Sequence, residues 1–191
     1  MRKLFVSALL TLSVASMSYG AADDIRSGGG NTDARGGYPV LQVFDSRGKS
    51  VGPVFSTDLS TGVILNVSGA NVLVPIQRVS NSAGHYSASQ YQWAQSSNVQ
   101  FVTSNCSPPP MVNTNSSALR PVIVIRSGAD ATAYIAPDTS TSMATVGSYL
   151  NGTQCITTGV SGVQAFSEPT WGVGSIYPLT QNYPEPLTIH Y

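Results

Sequence analysis

The sequence predicts an all-β protein, an antiparallel β-sandwich or small barrel of about eight strands. Three observations carry that expectation. Short runs rich in Val and Ile recur between residues 40 and 166, each closed by a turn of Gly, Ser, Asn or Asp. Helical periodicity is missing: no segment sets apolar residues at i, i+3, i+4 and i+7 over three turns, and Glu and Lys are scarce. The chain is 41% hydrophobic and holds 18 Gly and 12 Pro, which supplies both a core and many turns.

The N-terminal segment stands outside that pattern. Arg2 and Lys3, the apolar run of residues 4–17 and the small residues Ser18 and Gly20 follow the order of a secretory signal peptide, with cleavage expected after Gly20 (1–20). That run is too short and too rich in Ser and Thr to span a bilayer, and no other stretch reaches the roughly 18–20 apolar residues a membrane helix needs. Residues 21–37, AADDIRSGGGNTDARGG, carry too little apolar surface to offset their ordering entropy and are read as a flexible Gly-rich leader. A single β-rich domain with a Pro-rich C-terminal tail is expected over 38–191.

Along that domain the elements follow in order. VLQVF (40–44), the turn at 45–48 and residues 51–55 make a first hairpin, with Gly48 supplying the positive φ. VILNV (63–67), residues 68–71 and VLVPI (72–76) repeat the plan, and Pro75, unable to donate to a ladder, puts its strand at an edge or bends it. The segment 87–97 (SASQYQWAQSS) fits a short helix, a loop or a strand with its aromatics outward. Residues 99–103 lead to Cys106, and the Pro108–Pro110 run ends regular pairing. VIVI (122–125) and residues 131–135 form a third hairpin; the unbroken apolar run predicts burial on both faces, whereas the alternation in VILNV predicts one wet face. Segments 143–150 and 159–166 complete the strands. The tail, with Pro169, Pro178, Pro184 and Pro186, is expected to lie extended along the domain and to form no central strand.

Charge and chemistry narrow the function. The 9 Lys+Arg balance 9 Asp+Glu, and only 9% of residues are charged, so neither a basic nucleic-acid surface nor an acidic tail is present. Cys106 and Cys155, an even pair in an exported chain, are expected to form one disulfide. There is no C-x-x-C, and His85 and His190 lie in unrelated contexts, so no metal and no cofactor is expected. Gly159-Val160-Ser161-Gly162 lacks the spacing of a nucleophile elbow. A Ser–His–Asp set drawn from His85, one of Asp45, Asp58, Asp130 or Asp138 and any of the many serines would arise by chance alone. A glycosidase needs two facing carboxylates, yet Glu168 and Glu185 sit in the Pro-rich tail and Asp45 reads as a turn residue bonding its own backbone. Catalysis is not expected. Tyr86, Tyr91 and Trp93 fall in one polar stretch and suit a sugar or a partner surface; the alternative is that they pack in the core or cap the sheet.

The succession VFDSRGKSVGPV, ILNVSGANVLVPIQR, FVTSNCSPPPMV, RPVIVI and SYLNGTQC, over residues 38–166, resembles a loose group of uncharacterised exported bacterial β-rich proteins. In that group a strand–Asp–turn–Gly hairpin opens the domain, a strand–Thr/Ser–Cys–Pro segment sits mid-chain and the second Cys follows an Asn-Gly turn. Where this chain has SPPP, members commonly carry Gly and aromatic residues. The resemblance implies a β-rich surface or tail-fibre-like module and no reaction. The function expected is that of an exported, periplasmic or extracellular, non-catalytic structural or surface-interaction protein. Its partner would be a glycan or a surface protein, not nucleic acid, and no integral membrane segment would remain after signal cleavage. A carbohydrate- or adhesin-like binding module is the alternative, ahead of a hydrolase.

Overall fold

A computed structural model describes residues 40–56, 61–113, 118–160 and 162–191. The expected signal peptide (1–20), the leader (21–37), the domain start at Tyr38, Asp58 and Ser161 lie outside the described residues. Within them the chain is all-β, its paired strands antiparallel throughout.

Local turn chemistry builds the first hairpins. Strands β1 (Gln42–Phe44) and β2 (Ser50–Ser56) flank a turn in which Gly48 has φ 78°. The Asp45 Oδ1 accepts the N–H groups of Arg47 and Lys49, both at 2.9 Å, and so folds the turn around a buried carboxylate. β3 (Thr61–Val67) and β4 (Ala70–Ser80) join through Ser68 and Gly69, with φ 51° and 84°. Positive φ at both central residues is the turn whose twist matches two antiparallel strands.

The segment left open between helix, loop and strand is strand: β5 (Tyr86–Trp93) pairs with β4. This places Pro75 in a central strand, between β3 and β5, and corrects the expected edge position. The Pro75 carbonyl accepts the Ala94 N–H just past the end of β5. Because the N–H and C=O of one residue point the same way in an antiparallel strand, the missing donor falls where the β4–β5 ladder has ended.

β6 (Gln100–Phe101) and β7 (Val112–Asn113) are short, and β8 (Val122–Ser127) and β9 (Asp130–Ile135) form the third expected hairpin in register from Val122–Ile135 to Ser127–Asp130. The single strand expected over 143–150 is two, β10 (Ser142–Val146) and β11 (Ser148–Asn151), each in a different sheet. Gly147 is the pivot. Its N–H donates to Phe101 O at 2.8 Å, and a Cβ there would press on the Thr103 carbonyl at 2.8 Å, so only glycine lets the backbones approach so closely. β12 (Gln154–Thr157) follows, and among the described residues of 159–166, expected as strand, only Phe166 is in one; the Gly159 N–H instead donates to Val163 O at 2.7 Å.

The tail corrects the largest expectation. It contains β13 (Phe166–Trp171), β14 (Ser175–Pro178), the short helix α1 (Leu179–Asn182) and β15 (Thr188–His190). β13 is the central strand of the sheet β10-β13-β7 despite Pro169. Pro169 pairs with Met143 on its β10 flank, and on the other flank the described residues of β7 pair with Thr170 and Trp171.

Six strands in the order β15-β1-β2-β3-β4-β5 make one sheet, and it nearly closes into a small barrel. Tyr91 on β5 and Leu187, just before β15, exchange both backbone hydrogen bonds at 2.8 Å. Closure of this kind removes the free edges that would otherwise invite foreign strands. The remaining strands form the three-stranded sheets β14-β9-β8, β12-β11-β6 and β10-β13-β7.

The sheet β14-β9-β8 is a wall between two cores. Val122 and Val124 face the barrel core of Val43, Val63, Leu65, Val74 and Trp93, while Ile123 and Ile125 face a second core with Val99, Phe101 and Val112. The uninterrupted VIVI run therefore has a direct cause, a strand buried on both sides. Each such aliphatic side chain contributes about 1.5–3 kcal/mol when fully buried.

Candidate interaction site on the β5 seam

Strand alternation decides where the three candidate aromatics go. Trp93 and Tyr91 point to the barrel side; Trp93 is 0% exposed and Tyr91 packs against the same core. Tyr86 is 73% exposed. The register steps from Arg78–Tyr91 to Ser80–Tyr86, so residues 87–90 bulge opposite Val79 and carry Tyr86 away from its neighbours. Arg78 braces the bulge by donating to Ser87 O at 3.0 Å and to Ala88 O, with its guanidinium 5.0 Å above the Tyr91 ring. The aromatics thus do not share one exposed platform, and Trp93 is a core residue.

The polar atoms of Trp93 anchor the tail. Its backbone N–H donates to Glu185 Oε1 at 2.6 Å, its carbonyl accepts Arg126 Nη1 at 3.1 Å and its indole N–H donates to Tyr183 O at 3.1 Å. Arg126 and Glu185 complete the knot with a two-pronged ion pair at 2.7 and 2.8 Å. The Glu185 hydrogen bond outweighs burial and holds the Arg126 guanidinium more firmly protonated than usual. Sequence reasoning did not foresee this pair. The one local sign of it is a lone Arg ending an otherwise apolar VIVI strand.

On the outer face of the same strands the side chains are different. Gln90 and Gln92 alternate with the buried aromatics, and Gln77 is the register partner of Gln92. Gln90 and Gln92 line a hollow of about 560 Å³ with Val79, Asp130, Thr180 and the tail residues Pro184, Glu185 and Pro186. Gln77 lines a second hollow of about 560 Å³ with Leu73, Pro75, Gln95, Ser97 and Val122. Gln77 and Gln92, one from each hollow, are register partners. Among the described residues the side chains of Gln77, Gln90 and Gln92 make no hydrogen bond, so each offers both a donor and an acceptor to solvent or ligand.

The other candidate groups are dispersed. His85 lies in the exposed β4–β5 turn, where Asn81 Oδ1 accepts its backbone N–H at 3.0 Å, while the His190 ring stacks on Phe44 at 4.0 Å. Asp45 is bound by Arg47 at 3.0 Å, and Asp138 pairs with Arg120 at 3.4 Å. Glu168 sits on β13, its Oε1 buried without a hydrogen-bond partner, as is Asn113 Oδ1 on the neighbouring β7. Among the described residues no His, Cys, Asp and Glu cluster is placed to hold a metal ion, and no helix is long and apolar enough to cross a membrane. Cys106 and Cys155 form the expected disulfide, with Cα atoms 5.9 Å apart, which is compatible with an oxidising, exported location. Comparison with protein-family models, curated proteins and solved structures returned no match.

Proposed function

We propose that this chain is an exported, non-catalytic structural or surface-interaction protein. The observation that supports the reading is how its charged groups are used. The Glu185 carboxylate is held on both oxygens by Arg126, and Asp45 is enclosed by Arg47 and two backbone N–H groups. A catalytic carboxylate must present an oxygen to its substrate, and here the oxygens of both groups are taken up by protein donors. These groups hold the tail and the first turn in place. The signal-like N-terminus and the disulfide support export, to the periplasm or beyond it.

The carbohydrate- or adhesin-like alternative loses Trp93 as a contact residue, since truncating it would open the core before it reported on any ligand. What favours that alternative is the row of free amides on the outer face. The non-catalytic reading is tested by incubating the purified mature protein with panels of ester and glycoside substrates. No turnover above buffer is expected. Turnover that disappears in His85→Ala or Glu185→Gln would overturn the reading.

A further inference from the structure

Three features of the outer β5 face point to the same ligand chemistry. The first is electrical: Gln77, Gln90 and Gln92 are neutral, and the exposed Asp130 is the one carboxylate in the hollow not already spent on an ion pair. A neutral amide row beside a single acceptor carboxylate complements a neutral ligand dense in hydroxyl donors and acceptors. The second is rigidity. Gln77 and Gln92 project from a paired position, Gln90 lies in the bulge with its backbone N–H held by Ser87 Oγ at 3.0 Å, and the Arg126–Glu185 knot fixes Glu185 in the wall, so less ordering entropy is lost when a ligand binds.

The third is adjacency. Gln77 of one hollow is the cross-strand partner of Gln92 of the other, so amides from both hollows stand side by side on the sheet. Pro75 lines one hollow and Pro184 and Pro186 the other, apolar groups that suit the C–H faces of a sugar ring. We infer that the outer face of β4 and β5, with the tail beside it, binds an extended neutral polysaccharide, its hydroxyls hydrogen-bonded to Gln77, Gln90, Gln92 and Asp130. The inference deepens the carbohydrate-binding alternative and rests on it.

The test is a glycan array followed by calorimetric titration with neutral oligosaccharides of one to eight units, cello-, chito- and dextran-type, and with a proline-rich peptide as a competing occupant. Affinity for one neutral series should rise with chain length. Gln90→Ala with Gln92→Ala should lower it about tenfold or more, and Tyr86→Ala should leave it unchanged. The thermal midpoint of the double variant should stay within about 2 °C of the parent, as expected for outward-facing substitutions. No binding to any neutral glycan, binding indifferent to the two glutamines, equal affinity for monomer and octamer, or binding of acidic glycans or the peptide alone would each overturn the inference. All of these would leave the non-catalytic reading standing, because only turnover removes that.

Discussion

At the residue scale, Asp45 shows how a turn residue becomes a stability determinant. Burial pushes its carboxyl up, but the Lys49 backbone N–H, the Arg47 side chain and the Arg47 backbone N–H together bring it below the ordinary 3.8. A carboxyl lowered on folding adds stability above the unfolded value, near pH 4, and gives it up as the pH falls through the folded value. Asp45→Asn should therefore be less stable than the parent at pH 7 by about 1–2 kcal/mol, with the gap shrinking at pH 3. Urea unfolding at the two pH values measures this. A gap of equal size at both would show that the carboxylate charge is not its source.

At the element scale, the Arg126–Glu185 pair closes the barrel where sheet hydrogen bonding is thinnest. The seam between β5 and the tail rests on one residue pair, Tyr91 and Leu187, and the ion pair secures the next position along. Both side chains are mostly shielded, 19% and 16% exposed, so their attraction is weakened by solvent less than that of a surface pair. A double-mutant cycle of Arg126→Met and Glu185→Gln should give a coupling of about 1–3 kcal/mol, with faster hydrogen exchange at the Trp93 and Leu187 amides in either single variant. Coupling below about 0.5 kcal/mol would reduce the pair to an incidental contact.

At the scale of the whole molecule, the two cores are stabilised differently. The barrel has its long strands and its seam; the second core is walled by two- to six-residue strands and carries the disulfide. Cys106 packs on that core, and Cys155 lies on β12, so the bond ties the loop after β6 to the edge of the sheet β12-β11-β6. With a sequence separation of 49, the chain-entropy model assigns the link roughly 4 kcal/mol. Cys106→Ser with Cys155→Ser should cost about 3–4 kcal/mol in denaturant unfolding. Amide exchange should accelerate in β11 and β12 well before β3 and β4. Uniform acceleration across both cores would show that they unfold as one unit.

The sequence by itself determined the parts whose causes are local. Gly48 and the Ser68-Gly69 pair specify their turns through φ, the VIVI run announces a strand buried on both faces, and the two cysteines pair with each other. What it left open depends on residues far apart in the chain. Pro75 sits in a central strand because β5 ends just before its partner position, Pro169 lies on β13 between β10 and β7, and 143–150 breaks at Gly147, against which the Val102 and Thr103 carbonyls lie. Likewise β5 reads as polar sequence, and only closure against Leu187 decides that Trp93 turns inward and Gln90 and Gln92 outward. Period-two alternation says that two faces differ; which face meets water is set by what packs against it, and that is a property of the assembled sheet.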